Sequence, residues 1–204
     1  MVNVKTEIID EIIEVAKRMD RLGLMNAFSG NISVHDEGLY YVTPTGKSKA
    51  NYTRDMICVL DEDGNQVAGS YKPTSEFKMH KGVYPMRSDI KAIIHTHSPF
   101  LSAYAVCGKD FMPDSYAEAI MMGGAVVAPY GQPGTDAIYA GVEPLIQNHN
   151  CILLKNHGVL AVGESLTSAA NRAECFEAAA KVMTIANMIG TPDPICEEEL
   201  AKIR

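Results

Sequence analysis

Ala92-Ile93-Ile94-His95-Thr96-His97-Ser98-Pro99 is an apolar run that ends in two histidines and a proline. The apolar part reads as a buried strand, and Pro99 reads as the opening of a helix. Side chains in a strand alternate faces. His95 and His97 therefore project together from the strand end, and Thr96 points the other way. Two imidazoles at that spacing are part of a ligand set for a metal ion. Leu154-Lys155-Asn156-His157-Gly158-Val159 adds a third histidine at another strand end, and Glu76 adds a carboxylate upstream. A catalytic zinc commonly takes three protein ligands and keeps one position open, so His95, His97 and His157 form a candidate set. Gly158 removes a side chain beside His157 and lets the backbone turn tightly. A single histidine at a strand end is more often structural; three of them with a carboxylate reverse that weighting. His80, placed mid-helix, and His35 and His149, placed in polar loops, read as ordinary residues.

Outward from this strand, the chain alternates short strands with helices. Ile8, Ile9, Ile12, Ile13, Ala16, Met19 and Leu22 follow a helical period that Gly23 ends. Strands are expected at Leu39–Thr43 and Met56–Leu60, the latter closed by the turn Asp61-Glu62-Asp63-Gly64. Thr74 or Ser75 caps a helix running to about Arg87. A strand over Lys91–His97 leads into a helix from Pro99 to about Gly108. Ala125–Ala128 reads as a strand and Thr135–Asn148 as a helix. Cys151–Lys155 and Val159–Val162 are strands around the Asn156-His157-Gly158 turn. Ser165 caps a long Ala-rich helix that Gly190 stops. The order predicts an α/β layered single domain over residues 1–204, with a central mostly antiparallel sheet and helices on both sides.

Composition bounds the function. The 204 residues are 47% hydrophobic and 21% charged, enough for one core without disulfide staples. A net charge of -7 and the lack of any basic run argue against a nucleic-acid partner. Cys58, Cys107, Cys151, Cys175 and Cys196 are scattered and odd in number, which reads as reduced thiols in a cytoplasmic protein. No signal peptide and no membrane span is expected. No dinucleotide or Walker fingerprint supports nucleotide binding.

Three small, polar stretches are candidates for holding an anion: Ser29-Gly30-Asn31-Ile32-Ser33, Thr43-Pro44-Thr45-Gly46-Lys47 and Thr74-Ser75. Glycines let backbone N–H groups approach an oxyanion, and hydroxyls and a helix start add donors. Each alone is ordinarily a plain turn. Glu76 in a first helical turn ordinarily just complements the helix dipole. The helix it starts returns to the His95 strand, which can bring the carboxylate beside the histidines.

The segments Arg21-Leu22-Gly23-Leu24, Gly30-Asn31-Ile32-Ser33, Thr43-Pro44-Thr45-Gly46, Pro73-Thr74-Ser75-Glu76, His95-Thr96-His97 and Asn156-His157-Gly158 span about residues 7–190. In that order they resemble the class II aldolase/adducin family, and most closely its ketose-1-phosphate aldolases. The resemblance implies a homotetramer with a zinc ion near a subunit interface, Mn2+ or Co2+ being alternatives. It implies His95, His97 and His157 as zinc ligands, and Glu76 as an acid/base that also ligates zinc without substrate. Gly30, Asn31, Thr45, Gly46, Thr74 and Ser75 fall on phosphate- and substrate-binding positions. Tyr116 falls in the region of a tyrosine that assists at the leaving alkoxide from a neighbouring subunit. The implied reaction cleaves a phosphorylated ketose to dihydroxyacetone phosphate and a short aldehyde through a zinc-stabilised enediolate.

The family holds rivals. Its sugar-phosphate 4-epimerases carry Asp where Glu76 stands. Its methylthioribulose-phosphate-type dehydratases use a Glu near the place of Glu118 and lack the equivalent of Glu76. Sugar-acid-phosphate decarboxylases share the three-histidine frame. Adducin-like interaction modules lose the ligands, whereas this chain keeps all three histidines and Glu76.

Overall fold

The strand that carries His95 is one of eight in a single sheet. In chain order they are β1 (Asn31–Asp36), β2 (Leu39–Val42), β3 (Cys58–Leu60), β4 (Gln66–Ala68), β5 (Ala92–Thr96), β6 (Val126–Ala128), β7 (Cys151–Leu154) and β8 (Gly158–Gly163). Among the described residues seven helices accompany them: α1 (Thr6–Arg21), α2 (Phe77–Val83), α3 (Pro99–Cys107), α4 (Ala117–Met121), α5 (Asp136–Ile146), α6 (Leu166–Ile189) and α7 (Glu197–Ile203). This is the computed structural model, and it describes residues 3–203. Met1, Val2 and Arg204, the ends of the expected 1–204 domain, lie outside the described residues. The spatial order is β4-β3-β2-β1-β5-β8-β7-β6. All neighbours are antiparallel except β6 and β7, which run parallel because α5 carries the chain back between them. The sheet is mostly antiparallel and helices cover both faces, as the sequence predicts.

Period-two alternation divides the core. Ala92 and Ile94 of β5, with Ala161 of β8, pack under α1 and the first half of α6. Ile93, Leu160 and Val162 pack on the opposite face with Met79 and Val83 of α2 and Val142 and Ile146 of α5. A third cluster joins α3, Phe111, β7 and the second half of α6. His95 shares parity with Ile93, so it lies on the α2 face, and Thr96 faces α3, with its hydroxyl 3.3 Å from that of Ser98.

Several elements differ from expectation for identifiable reasons. Asn31–Asp36, expected as a Gly-rich turn with His35 in a loop, is a central strand between β2 and β5. Its polar residues Asn31, Ser33 and His35 all face α2, so only Ile32 and Val34 signal a core. β4, α4 and α7 are too short and polar to register as periodic segments. The Met56 strand begins at Cys58, after a 3-10 turn at Arg54–Met56. α2 ends at Val83 instead of Arg87, because Pro85 turns the chain into a 3-10 segment. Its N-cap is Glu76; neither Thr74 nor Ser75 caps it, although Thr74 Oγ1 accepts from the Glu76 N–H at 3.3 Å. Leu22 lies just past α1 and is 53% exposed, outside the apolar stripe. Gly23 (φ +71°) and Gly108 (φ +63°) end α1 and α3 in left-handed conformation, and Ser165 Oγ accepts from Ser168 N–H at 3.1 Å to cap α6.

The start of α3, directly after His97, is fixed from outside the helix. The buried Glu177 of α6 accepts from Phe100 N–H at 2.8 Å and Leu101 N–H at 2.9 Å. Glu177→Ala strands both donors and is expected to cost about 2 kcal/mol in urea denaturation. A loss within the error of the wild-type midpoint would refute this role.

Candidate metal centre and active site

β5, β8 and the start of α2 bring four groups to one point. Among the described residues His95, His97 and His157 form a cluster whose ligating atoms all lie within 4.8 Å of one another. His95 Nε2 and His97 Nε2 are 2.9 Å apart. The Glu76 carboxylate straddles the cluster, with Oε2 3.3 Å from His95 Nε2 and Oε1 3.2 Å from His157 Nε2. Asn31 stands directly opposite His95 in the β1–β5 register, and its Nδ2 donates to Glu76 Oε2 at 2.7 Å. Asn31, expected on the substrate side, thus also holds the carboxylate in place.

The ring of His95 has a defined tautomer. Nδ1 lies 2.9 Å from the Val159 carbonyl, which can only accept, so Nδ1 carries the hydrogen and Nε2 offers its lone pair to the cluster. Burial, then the neighbouring His97 and His157, push its pKa well below the usual histidine range. Burial and His157 also push His97 down, against the pull of Glu76. Neutral imidazoles with converging lone pairs are what a divalent cation requires. Ligands at Zn–N distances near 2.0–2.1 Å in a tetrahedron stand roughly 3.3 Å apart, and the spacings here are of that order. The donor set fits a metal ion.

Glycine makes the approach possible at two positions. A Cβ on Gly158 would meet Thr96 O at 2.5 Å, His95 Cε1 at 3.0 Å and His97 Cδ2 at 3.1 Å. Gly158 is therefore needed for the two rings to lie against the chain. The left-handed turn itself falls on Asn156 (φ +57°), a correction to the turning role expected of Gly158. A Cβ on Gly30 (φ +79°) would meet Met25 Cγ at 2.7 Å and His95 O at 2.8 Å.

The three anion-binding candidates are brought side by side. Ile32 N–H donates to Thr43 Oγ1 at 3.0 Å, and Thr74 N–H donates to Thr43 O at 3.0 Å. Pro44 and Pro73 form an antiparallel bridge. Thr45, Gly46 and Ser75 are exposed on this rim, while Thr74 is buried. Tyr116 lies elsewhere: it packs on the α3–α6 cluster and its hydroxyl donates to Glu118 at 2.7 Å. No hydrogen bond joins it to the histidines among the described residues.

His80 is more than an ordinary helix residue. It lies one turn after Glu76, fully buried, with Nδ1 2.7 Å from Ser33 Oγ, which also lies 2.6 Å from Tyr84 OH. The signal was the i, i+4 spacing of Glu76 and His80 on one helix face. Its Nε2 is buried without a protein partner.

Comparison with known proteins follows the same lines. The Class II Aldolase and Adducin N-terminal domain family model matches residues 10–184. A 5-deoxy-D-ribulose 1-phosphate aldolase of Bacillus thuringiensis serovar kurstaki is 32% identical over 197 residues, which is 95% of this chain and 92% of the relative. A solved L-fuculose 1-phosphate aldolase superposes with a TM-score of 0.90 at 30% identity, covering 98% of this chain and 95% of that one. YgbL of Klebsiella pneumoniae, described as a putative aldolase/epimerase/decarboxylase, gives a TM-score of 0.88 at 27% identity over the full length of both chains.

Two outcomes are expected. Chelator-stripped protein should take up about one divalent ion per chain, and His95→Ala or His157→Ala should take up none while keeping its circular dichroism; stoichiometric metal in either variant would contradict the ligand set. Burial, above all, lowers the His80 pKa from 6.5 to about 3. The unfolded chain therefore binds a proton that the folded one refuses. The stability supplied by the neutral ring is full above pH 6.5 and is lost as pH falls toward 3. In metal-free protein the urea midpoint should fall between pH 7 and pH 4.5, and His80→Gln should flatten part of that fall. Superimposable pH profiles would contradict it.

Proposed function

The chain belongs to the class II aldolase and adducin family and is a lyase of its aldolase branch; from that premise we propose that it cleaves a ketose 1-phosphate, of the L-fuculose-1-phosphate kind, to dihydroxyacetone phosphate and a short aldehyde. The observation that carries the proposal is the Glu76 carboxylate, seated between His95 and His157 and steered by Asn31. His95, His97 and His157 would hold the metal, zinc first and Mn2+ or Co2+ as alternatives, with Glu76 as a further ligand before substrate enters. When bound, a divalent metal supplies Lewis-acid stabilisation of the negative charge that develops on the ketose oxygens.

The residues of the chain do the rest. In cleavage, the C4 hydroxyl gives up its proton to solvent on the side that Tyr116 would serve, the C3–C4 bond breaks, C4 becomes the aldehyde carbonyl and the electron pair stays at C3. Glu76 delivers a proton to C3, and in the reverse direction removes it. Asn31 fixes the carboxylate for that transfer. Gly30, Asn31, Thr45, Gly46, Thr74 and Ser75 hold the phosphate end, supported by their adjacency along the Thr43 and Pro44–Pro73 contacts. Tyr116, half-buried on α4, serves the leaving alkoxide from a neighbouring subunit.

The proposal includes a homotetramer, one catalytic unit over residues 1–204 and a cytoplasmic location. Support for self-association comes from the end of α6, where Met188 (82% exposed) and Ile189 (84%) stand in water beside Val182 and Ile185. Support for the location comes from five unpaired cysteines and from the lack, among the described residues, of a helix long and apolar enough to cross a membrane.

YgbL, with its broader description, favours a second reading: decarboxylation of a sugar-acid phosphate on the same frame. Incubation with dihydroxyacetone phosphate and a panel of short aldehydes decides between them. Condensation with at least one aldehyde is expected. Glu76→Gln should lower kcat by about 10²–10⁴-fold with metal retained. Full activity in that variant would overturn the role of Glu76. Carbon dioxide release from a sugar-acid phosphate, without condensation, would favour decarboxylation.

A further inference from the structure

Three polar residues of β1 meet three residues of the helix that Glu76 opens, rung by rung. Asn31 Nδ2 donates to Glu76 Oε2 at 2.7 Å. Ser33 Oγ lies 2.7 Å from His80 Nδ1. The His35 ring centroid stands 5.2 Å from that of Tyr84. The strand positions advance by two and the helix positions by four. Two strand residues rise about 6.8 Å and four helical residues about 6 Å, so the rungs keep step when the helix runs along β1. The mechanism above uses only the first rung. The second is the most deeply enclosed: Ser33 and His80 are 0% exposed and Tyr84 is 5% exposed.

Hydrogen counting gives the second rung a direction. Ser33 Oγ also lies 2.6 Å from Tyr84 OH, which has no other hydrogen-bond partner among the described residues. Burial keeps the His80 ring neutral, so it carries one hydrogen. If Tyr84 donates to Ser33 and Ser33 donates to Nδ1, both hydroxyl hydrogens are used and only Nε2–H lacks an acceptor. With the hydrogen on Nδ1 instead, one hydroxyl hydrogen and the Nε2 lone pair are both left unpaired. Buried polar groups avoid such a loss, so the chain runs from Tyr84 to Ser33 to His80.

This rung steadies a helix that is too short to steady itself. α2 has seven residues and no side-chain cap. Its apolar anchors Met79 and Val83 pack with Ile93 and Leu160, and methionine adapts to small rotations. A 2.7 Å bond between buried groups does not. Glu76 and His80 are one turn apart, joined by His80 N–H donating to Glu76 O at 3.4 Å. The angle at which His80 is held is therefore the angle at which the Glu76 side chain leaves the helix.

We propose that His80 is a positioning residue for Glu76: held by Ser33 and Tyr84, it fixes the rotation of α2 on β1, and with it the seat of the carboxylate between His95 and His157. This rests on the phosphoketose reading, in which Glu76 moves the proton. Misplacing a reacting group by about 1 Å can cost about 10²-fold in rate, so a rotated α2 slows proton transfer without emptying the metal site.

Metal-loaded wild type, His80→Leu and His80→Asn are compared on a ketose phosphate that wild type cleaves. His80→Leu should lower kcat about 10- to 100-fold, with KM nearly unchanged and about one metal ion per chain retained. His80→Asn sets an amide oxygen where Nδ1 stands and should recover much of the loss. In a Glu76→Gln background His80→Leu should cost nothing further, since the group it positions is gone. An unchanged kcat in His80→Leu, or an equal fractional loss with and without Glu76, overturns the proposal. If His80→Leu fails to fold, Ser33→Ala takes its place, removing the rung and keeping the ring. Two NMR readouts need no substrate. The 15N signals of the His80 ring, assigned by their absence from His80→Asn, should place the hydrogen on Nε2; a hydrogen on Nδ1 overturns the proposal. The 13C signal of the Glu76 carboxylate, assigned by its absence from Glu76→Gln, should move in Ser33→Ala; an unmoved signal overturns it. Cleavage by wild type with an unchanged kcat in His80→Leu sinks the role of His80 alone. If wild type cleaves no ketose phosphate, the phosphoketose reading fails, and the two NMR signals decide whether His80 seats Glu76.

Discussion

The antiparallel register between β1 and β5 is the constraint on which the site depends. It sets Asn31 opposite His95 and Ser33 opposite Ile93. A slip of one residue would turn every one of these side chains to the other face. Asn31 would then lose Glu76, Ser33 would lose His80, and His95 would point away from α2. The register is pinned on both sides of the sheet. Ile32 and Ile94 are buried against α1, and the polar residues are hydrogen-bonded beneath α2. Specificity of pairing and construction of the site are therefore one event.

Burial gives these polar groups their chemistry. His95 and His80 are buried in a layer that also holds Ile93, Leu160 and Val162, and burial keeps their rings neutral. A neutral ring can offer a lone pair to a cation, whereas a protonated one repels it. The Val159 carbonyl then decides which nitrogen of His95 does so. On the rim, exposed Thr45, Gly46 and Ser75 remain open to a ligand. The site thus grades from a buried floor of imidazoles to an open edge at Thr45, Gly46 and Ser75.

Much of this was legible in the chain. The alternation through Ile93-Ile94-His95-Thr96-His97 gave the strand and the shared face, and Pro99 and Gly108 marked the limits of α3. Gly23 and Ser165 did the same for α1 and α6. Less legible was β1, because three of its six residues are polar and face inward; a strand whose buried face is polar lacks the apolar signature. Glu76 was recognisable by type and by the return of its helix to the His95 strand, but not as an N-cap. It is the N-cap of a seven-residue helix, and Pro85 had to be weighed against the helical period to see how short that helix is. His80 looks like an ordinary mid-helix residue in sequence. Its burial is a tertiary fact, set by the packing of α2 on the sheet.

The central claim is that Glu76 moves a proton at the carbon next to the carbonyl of dihydroxyacetone phosphate, beside a metal held by His95, His97 and His157. Proton exchange tests this without knowledge of the aldehyde. Dihydroxyacetone phosphate is incubated in D2O with metal-loaded enzyme and followed by proton NMR. The account predicts stereospecific loss of one of the two hydrogens at C3, and no loss with Glu76→Gln. Equal exchange in wild type and Glu76→Gln, or none in metal-loaded wild type, would contradict it.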